Sequence, residues 1–412
     1  MRLVIATIVA LLGTTLGVSY DGYKVYKIVT KTEAEAALLR TFESNENFDF
    51  WSSINKVGKP ISVMVAPNAQ SQFEFILKTT KMHFSVEIED VESTIEAERR
   101  YHQSRRPLKS GRITFDQYLR HDEINAYLAE LAQNYPDNVT LETIGQSYQK
   151  RDMIAIRISS GPSDPPKPAV FIDAGIHARE WIAPAVALYA INQLVENPYY
   201  SLFTEHVDWI ILPSLNPDGY EYTWDENRLW RKTLSNGTRC IGCDANRNFG
   251  YHWMEDGADD DECSEIYGGK EAFSEVETQN LRDYLADTPN IKGYLSLHSF
   301  GQYVLYPWSY ADVLPDNADE LQGLGEQINN AIEAVNGTTY TVGSTTATLY
   351  AAAGASQDWA MGGAGIDIVY SIELPGGGFF GFDLPPSEIE RVALETFEGL
   401  KVFGQYFVAQ KR

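Results

Sequence analysis

The amino-acid sequence predicts an α/β protein with a mixed, largely parallel central sheet flanked by helices, preceded by a small α+β unit. Three observations carry that expectation. Beyond about residue 113, apolar strand-like runs alternate with amphipathic helical stretches, the pattern of a sheet covered by helices. Before it, strand, helix, strand, helix and strand follow one another in one short block. Finally His177, Asn216, His298 and Glu373 each end a predicted strand, where open α/β sheets place their sites.

The 412 residues are 44% hydrophobic and carry a net charge of -24. That allows a large buried core and disfavours nucleic-acid binding, which calls for a basic face. Met1-Arg2, the apolar stretch from Leu3 to Leu12 and the small residues near Gly17 read as a signal peptide over residues 1–18, cut between Gly17 and Tyr20. The protein is therefore expected to be secreted, with no membrane partner, since no later run reaches the length of a membrane helix. Sequons at Asn138, Asn236 and Asn336 agree with export. Of Cys240, Cys243 and Cys263, one pair should close in an oxidising compartment and one thiol should remain.

Residues 19–106 form the small α+β unit. Residues 23–29 alternate as a half-buried strand, 33–42 form an amphipathic helix, 61–65 a strand, 71–79 a helix and 84–88 a strand. The basic, aperiodic stretch from Glu98 to Arg112 reads as a linker. It is either a solvated connector or an activation site for a trypsin-like protease. Pro107 would protect the bond after Arg106, which leaves Arg105, Lys109 or Arg112.

Residues 107–412 form the larger domain. Helices are expected at 122–135, 181–195 with Pro184 in its first turn, 274–285, 318–335 and 386–407. Strands are expected at 153–158, 169–176, 207–215, 291–298 and 366–374. Asn216-Pro217-Asp218-Gly219 is a turn signal, and residues 222–269 form a loop long enough to be functional. The acidic run from Glu255 to Glu262 reads as its solvated part.

His177 and Glu180 stand three residues apart where a strand turns into a helix. Both are zinc-ligand types, yet the pair alone is weak, because a turn with a surface ion pair is the commoner outcome. His83 and His102 fall in the amino-terminal block, and His121, His206 and His252 read as surface residues. Only His298 ends a buried strand.

His177-Ala178-Arg179-Glu180-Trp181, Asn227-Arg228-Leu229-Trp230-Arg231-Lys232-Thr233, Asp244-Ala245-Asn246-Arg247-Asn248-Phe249, Leu297-His298-Ser299 and Ser371-Ile372-Glu373-Leu374 together resemble the zinc metallocarboxypeptidases of the pancreatic A and B type. They appear in that family's order and near its spacing. Residues 113–412 resemble the mature enzyme and 20–105 its prosegment. The resemblance implies a secreted zymogen, monomeric, that removes C-terminal residues from peptides. It implies one zinc ion held by His177, Glu180 and His298, with Glu373 as general base and acid. Arg231 would stand beside the developing oxyanion, and Asp244 would orient His177. Arg247 would pair with the substrate's terminal carboxylate, helped by Asn246 and by Tyr350 closing over it, while Arg179 holds the incoming peptide. Cys240 and Cys263 match the family's disulfide, leaving Cys243 as a small buried hydrophobe.

By the same resemblance Ser309, Thr345 and Gln357 line the pocket for the C-terminal side chain. The A type has a large apolar residue where Gln357 stands, and the B type an aspartate whose charge demands Lys or Arg. Gln357 offers hydrogen bonds without charge, so A-like activity on neutral side chains is expected. Phe382 is expected to wall the cleft. Phe300 replaces a tyrosine, and Pro375-Gly376-Gly377-Gly378-Phe379 a more polar segment, which alters the subsites ahead of the scissile bond.

Overall fold

Residues 18–43, 45–52, 54, 57–104, 113–163, 166–376 and 381–409 are described by a computed structural model. The leader up to residue 17, the expected processing residues Arg105, Arg106, Lys109 and Arg112, and Gly377, Gly378 and Phe379 lie outside the described residues.

The amino-terminal unit runs β1 (Lys24–Val29), α1 (Glu33–Arg40), β2 (Phe48–Phe50), β3 (Pro60–Val65), α2 (Pro67–Thr79), β4 (His83–Ile88) and α3 (Val91–Gln103). Its antiparallel sheet has the order β2-β3-β1-β4. Period-2 alternation divides its side chains. Tyr26, Ile28, Ile61 and Val63 pack with Phe73, Leu77 and Leu39 of the helices. Val25, Met64 and Ile88, with Val91 and Ile95 of α3, pack instead with Leu229 and Phe382 of the larger domain.

Two elements were not expected here, and one boundary moves. β2 is only three residues long. Helix α2 starts at Pro67, whose fixed φ suits the first helical position, rather than at residue 71. The stretch from Glu98 to Gln103, read as linker, is the end of α3. Only Val91 and Ile95 of that helix are buried, too few to print a helical period.

The larger domain contains α4 (His121–Asn134), β5 (Val139–Gln146), β6 (Asp152–Ile158), β7 (Ala169–Ala174), α5 (Ile182–Glu196), α6 (Leu202–His206), β8 (Asp208–Leu212), α7 (Pro217–Asp225), α8 (Val276–Asp287), β9 (Ile291–Ser299), β10 (Tyr303–Tyr306), α9 (Ala318–Asn336), β11 (Thr341–Ser344), α10 (Thr345–Thr348), α11 (Ser356–Gly362), β12 (Ile368–Leu374) and α12 (Ile389–Ala409). The sheet order is β11-β10-β12-β9-β7-β8-β6-β5. The centre, from β12 through β9 and β7 to β8, is parallel, and β10/β12, β6/β8 and β5/β6 are antiparallel. One apolar core lies against α5, α9 and α12, and a second against α8 and α11. Every residue of β7 is buried, as a central strand covered on both faces requires.

Asn216-Pro217-Asp218-Gly219, read as a turn after a strand to 215, opens helix α7 instead. β8 ends at Leu212, and the Asn216 side chain caps α7 by accepting from the Gly219 N–H at 3.0 Å. His121, read as a surface residue, is 1% exposed. It turns inward at the start of α4, with Nδ1 3.2 Å from Ser214 Oγ and Nε2 3.0 Å from the Asp152 carbonyl.

The parallel centre positions the site. β7, β9 and β12 are neighbours running the same way, so their carboxyl ends emerge together. In the β12/β9 register Glu373 lies directly beside His298.

Candidate active site

His177 follows the turn that closes β7. Gly175 takes φ +72° there, and a Cβ on it would approach Pro184 Cγ to 3.2 Å, so glycine suits both the turn and the close packing against α5. The turn delivers Glu180 just ahead of α5. Glu180 Oε1 stands 2.7 Å from His177 Nδ1, and Oε2 stands 3.2 Å from His298 Nδ1. One donor atom from each of the three residues can be chosen so that all lie within 4.8 Å of one another, and all three side chains are buried. Burial alone would disfavour the charged carboxylate, yet the two imidazoles hold the Glu180 carboxyl far below the usual range. For His298, burial again opposes the charge, and the Glu180 carboxylate overrides it, pushing the imidazole up to about 9. The three side chains form a buried set of donor atoms of the kind that can hold a cation in place of those protons.

Each imidazole is anchored at its other nitrogen. His177 Nε2 lies 3.1 Å from Asp244 Oδ1, and His298 Nε2 lies 3.1 Å from Ser296 Oγ. Asp244 is buried and fully engaged. Oδ1 also accepts from the Asn246 N–H, and Oδ2 accepts from Arg231 Nε at 3.0 Å and Nη2 at 2.8 Å. Burial opposes its ionisation, but Arg231, His177 and Arg247 hold its carboxyl well below the ordinary carboxylate range. Arg231 Nη1 stands 4.0 Å from Glu180 Oε1. Glu373 shows the opposite behaviour: burial, reinforced by Glu180 and opposed by His298 and the arginines, pushes its carboxyl up to about 7.

Asn246 and Arg247 sit in a short turn, Ala245–Arg247, and both are buried. Asn246 Oδ1 accepts from the Ser356 N–H at 2.8 Å, leaving Nδ2 as its donor end. Arg247 is steadied by the carbonyls of Gly257 at 2.7 Å and Asn246 at 2.9 Å. The Cys240–Cys263 disulfide spans the loop that carries them, with Cα atoms 5.2 Å apart. Cys243 is buried, and burial pushes its thiol up, which makes it inert.

Ser309, Thr345 and Gln357 are all buried. Gln357 Nε2 donates to Ser309 Oγ at 2.8 Å, and Thr345 Oγ1 donates to the Tyr306 carbonyl at 3.1 Å. Behind them both oxygens of Asp358 accept from the Ser309 N–H, and Oδ2 also accepts from the Tyr310 N–H. Tyr350, just after α10, is half-buried.

A family profile for zinc carboxypeptidases matches residues 124–399, and a second, for carboxypeptidase activation peptides, matches residues 26–98. The chain belongs to the zinc carboxypeptidase family. Carboxypeptidase B of Astacus astacus is 46% identical over 294 residues, covering 70% of this chain and 96% of its own. Zinc carboxypeptidase A 1 of Drosophila melanogaster is 36% identical over 397 residues, covering 93% of this chain and 91% of its own. Among solved structures, carboxypeptidase A from Helicoverpa armigera superposes with a TM-score of 0.89 at 35% identity, covering 95% of this chain and 98% of its own. This carboxypeptidase is thus a pro-enzyme, a hydrolase preceded by an activation peptide.

In the pro-enzyme the activation peptide reaches two arginines of the larger domain. Arg179 Nη1 donates to Asp49 Oδ2 at 2.9 Å, and its guanidinium lies over the Phe382 ring at 4.3 Å. Arg228 holds Glu98 through Nε at 2.5 Å and Nη2 at 3.1 Å while lying 3.9 Å over Trp181. Trp51 packs edge-on against Phe382 at 5.7 Å. Arg179, expected to hold incoming peptide, is therefore occupied by the prosegment, with the Phe382 ring beneath it. Sequence reasoning gave no role to Asp49, Glu98 or Arg228. It also passed over Asp173, although a carboxylate inside the apolar run of β7 was a readable signal.

Proposed function

We propose that this carboxypeptidase is a secreted monomer, released from its zymogen by a trypsin-like protease, that removes neutral C-terminal residues from peptides. The observation that carries the chemistry is the convergence of His177, Glu180 and His298 beside Glu373 at adjacent strand ends. Two imidazole nitrogens and one carboxylate oxygen fit a single zinc ion with a coordination position left open. Bound there, zinc would polarise a peptide carbonyl and lower the pKa of a water.

The chain's own groups do the rest. Glu373, its carboxyl raised toward neutrality, accepts the proton of the attacking water and passes it to the leaving amine. Arg231 holds fixed positive charge near the carbonyl oxygen, and Asp244 locks it to His177 so that neither need reorganise. Arg247 pairs with the terminal carboxylate of the substrate, Asn246 Nδ2 adds a donor, and Tyr350 closes over it. Arg179 takes up substrate backbone once Asp49 has left.

Relatives named carboxypeptidase A and carboxypeptidase B both match, so specificity rests on the pocket. Gln357 and Ser309 bond to each other and bring no net charge. The nearby Asp358 carboxylate is already taken up by backbone N–H groups. Neutral side chains therefore fit better than Lys or Arg. The leader-like N-terminus and the disulfide support secretion.

The test is a digest of peptides differing only in their last residue, each with a free or an amidated C-terminus, by the trypsin-activated protein. Stepwise release of neutral residues from free termini alone is expected, and Arg247→Ala should abolish that discrimination. Internal cleavage, or equal turnover of amidated peptides by the unaltered protein, would sink the exopeptidase reading.

A further inference from the structure

Both histidines of the proposed zinc site turn Nδ1 toward Glu180, and both anchor Nε2 on the opposite side of the ring. Their anchors differ. His177 reaches a carboxylate directly, Asp244 Oδ1 at 3.1 Å. His298 reaches Ser296 Oγ at 3.1 Å, and that hydroxyl in turn lies 2.7 Å from Asp173 Oδ1.

Strand pairing builds this chain of contacts. Asp173 on β7 is the register partner of Ser296 on β9, and Ser296 precedes His298 by two residues, on the same face. The directions of the hydrogen bonds follow from chemistry. An ionised carboxylate only accepts, so the Ser296 O–H donates to Asp173, and the Ser296 oxygen is left to accept from His298 Nε2–H. That keeps a proton on His298 Nε2, so that Nδ1, which faces Glu180, is the nitrogen whose lone pair a zinc ion would take. A neutral imidazole free to exchange tautomers would spend part of its time with a proton where a ligand lone pair is needed.

Asp173, Ser296 and His298 are all buried; burial pushes the Asp173 carboxyl up, and the Tyr294 and Ser296 hydroxyls beside it oppose that shift. A carboxylate in the middle of an apolar central strand is costly unless something is gained from it. The Ser296 hydroxyl is the contact through which it can act on the site.

We infer that Asp173 is a positioning residue for the zinc site, acting through Ser296 to hold His298 in its Nδ1-donating tautomer, the counterpart of Asp244 for His177. The two histidines then differ as ligands. His177 faces a full carboxylate charge, whereas the Ser296 hydroxyl stands between His298 and the charge of Asp173. Outer partners of this kind typically alter metal affinity by about 10–100-fold. The inference rests on the reading of His298 as a zinc ligand.

The experiment measures zinc affinity of the full chain, stripped and reloaded, against a chromophoric chelator at one fixed pH. Ser296→Ala and Asp173→Asn are each expected to weaken zinc by about 10–100-fold, with Asp173→Asn toward the lower end because its amide still accepts. The double variant should be no weaker than Ser296→Ala alone, since both act on one contact path. Ser296→Thr, which keeps the hydroxyl, should restore affinity to within a few-fold of the unaltered chain. Cobalt substitution adds a readout that a purely structural role would not move: the visible band of the Asp173→Asn protein should shift in position. Should Ser296→Ala fail to fold, Asp173→Asn and the cobalt spectrum decide alone. Unchanged zinc affinity and an unchanged cobalt band in a folded Asp173→Asn protein would overturn the inference, as would full additivity in the double variant. His298→Ala separates the two readings. If it binds zinc as tightly as the unaltered chain, the ligand assignment itself fails. If it loses zinc while Ser296→Ala and Asp173→Asn do not, only the positioning role fails.

Discussion

Asp49 of the activation peptide and Arg179 of the cleft meet at 2.9 Å, with Arg179 placed between His177 and Glu180 in the chain. The same Asp49 oxygen accepts from the Trp51 indole at 2.8 Å, and Trp51 packs on Phe382, so one short strand end covers both a charged and an apolar side chain of the larger domain. Arg179 is 3% exposed, which spares the pair most solvent screening.

Asp49→Ala should therefore loosen the prosegment without unfolding it, since the unit's own core lies on the far face of its sheet. Losing a hydrogen bond to a buried charged group costs about 1.5–3 kcal/mol, and each ~1.4 kcal/mol is a factor of ten in an equilibrium. Uncut Asp49→Ala protein is expected to hydrolyse a small C-terminal substrate at least about tenfold faster than the uncut parent. Glu98→Ala, at the separate Arg228 contact, should add to it. Equal background rates in the uncut proteins would show that neither contact restrains the cleft.

Glu373→Gln removes the proposed base while leaving a side chain of the same shape. General acid–base groups contribute about 10²–10⁴-fold, so kcat should fall by at least that with KM little changed and zinc retained. The working form of Glu373 is the carboxylate, and burial raises its carboxyl toward about 7. Activity of the parent should thus decline as pH falls through the region just below neutrality. Residual activity of Glu373→Gln should lack that limb. A variant keeping full turnover would remove Glu373 from the chemistry.

What could be read from the sequence follows the physics of burial. β7, β9 and β12 are covered on both faces, so they stand out as apolar runs, and the residues at their ends were placed correctly from that alone. β5 and β11 lie at the sheet's edges, and β10 and β11 are four residues each, too short to print a pattern. α3 stayed hidden because its buried face is two residues wide.

The candidate site divides in the same manner. Its motif residues are local, three to seven positions of contiguous chain each. The contacts that close it are not: Asp49 and Arg179, and Glu98 and Arg228, are each 130 residues apart. An isolated acidic residue among 57 carries no mark of its distant partner. His121 was misread for a related reason. Its acidic neighbours Asp122 and Glu123 are not buried, while its own ring turns inward to Ser214 and the Asp152 carbonyl.

A stability prediction comes from Glu277, buried in the first turn of α8. Its Oε1 accepts from the Tyr148 N–H at 2.9 Å, and its Oε2 has no hydrogen-bond partner among the described residues. Burial, with Glu275 and Asp218 nearby, pushes its carboxyl up to about 7. A carboxyl raised on folding binds its proton more tightly in the native state. Its contribution is full below the unfolded value of about 4.3 and is lost as the pH climbs to about 7. Glu277→Gln, which cannot ionise, should gain stability relative to the parent steadily between those limits and hold a constant advantage above them. Melting temperatures of both proteins across that range check it; a pH-independent difference would mean Glu277 is ionised throughout.

Gln357 offers the sharpest test of specificity, because one substitution turns a neutral pocket into a charged one. Its Nε2 donates to Ser309 Oγ at 2.8 Å, and among the described residues no cation is paired with the side chain. In Gln357→Asp the shorter carboxylate would leave room at the pocket floor and stand there ionised without a partner, a state that costs stability until a cationic side chain arrives. A terminal Lys or Arg would relieve that cost on binding, whereas Phe or Leu would seal the charge away from water. The ratio of kcat/KM for basic over apolar C-terminal residues should therefore rise by about 10²-fold or more, an effect of about 3 kcal/mol. The change should fall mostly in KM, because the pocket binds a part of the substrate remote from the scissile bond. Hydrolysis rates of matched peptides ending in Lys, Arg, Phe and Leu measure it directly. If the unaltered protein already preferred Lys or Arg, the neutral reading of the pocket would be wrong, and the cation would have to be met by Asp358 behind it.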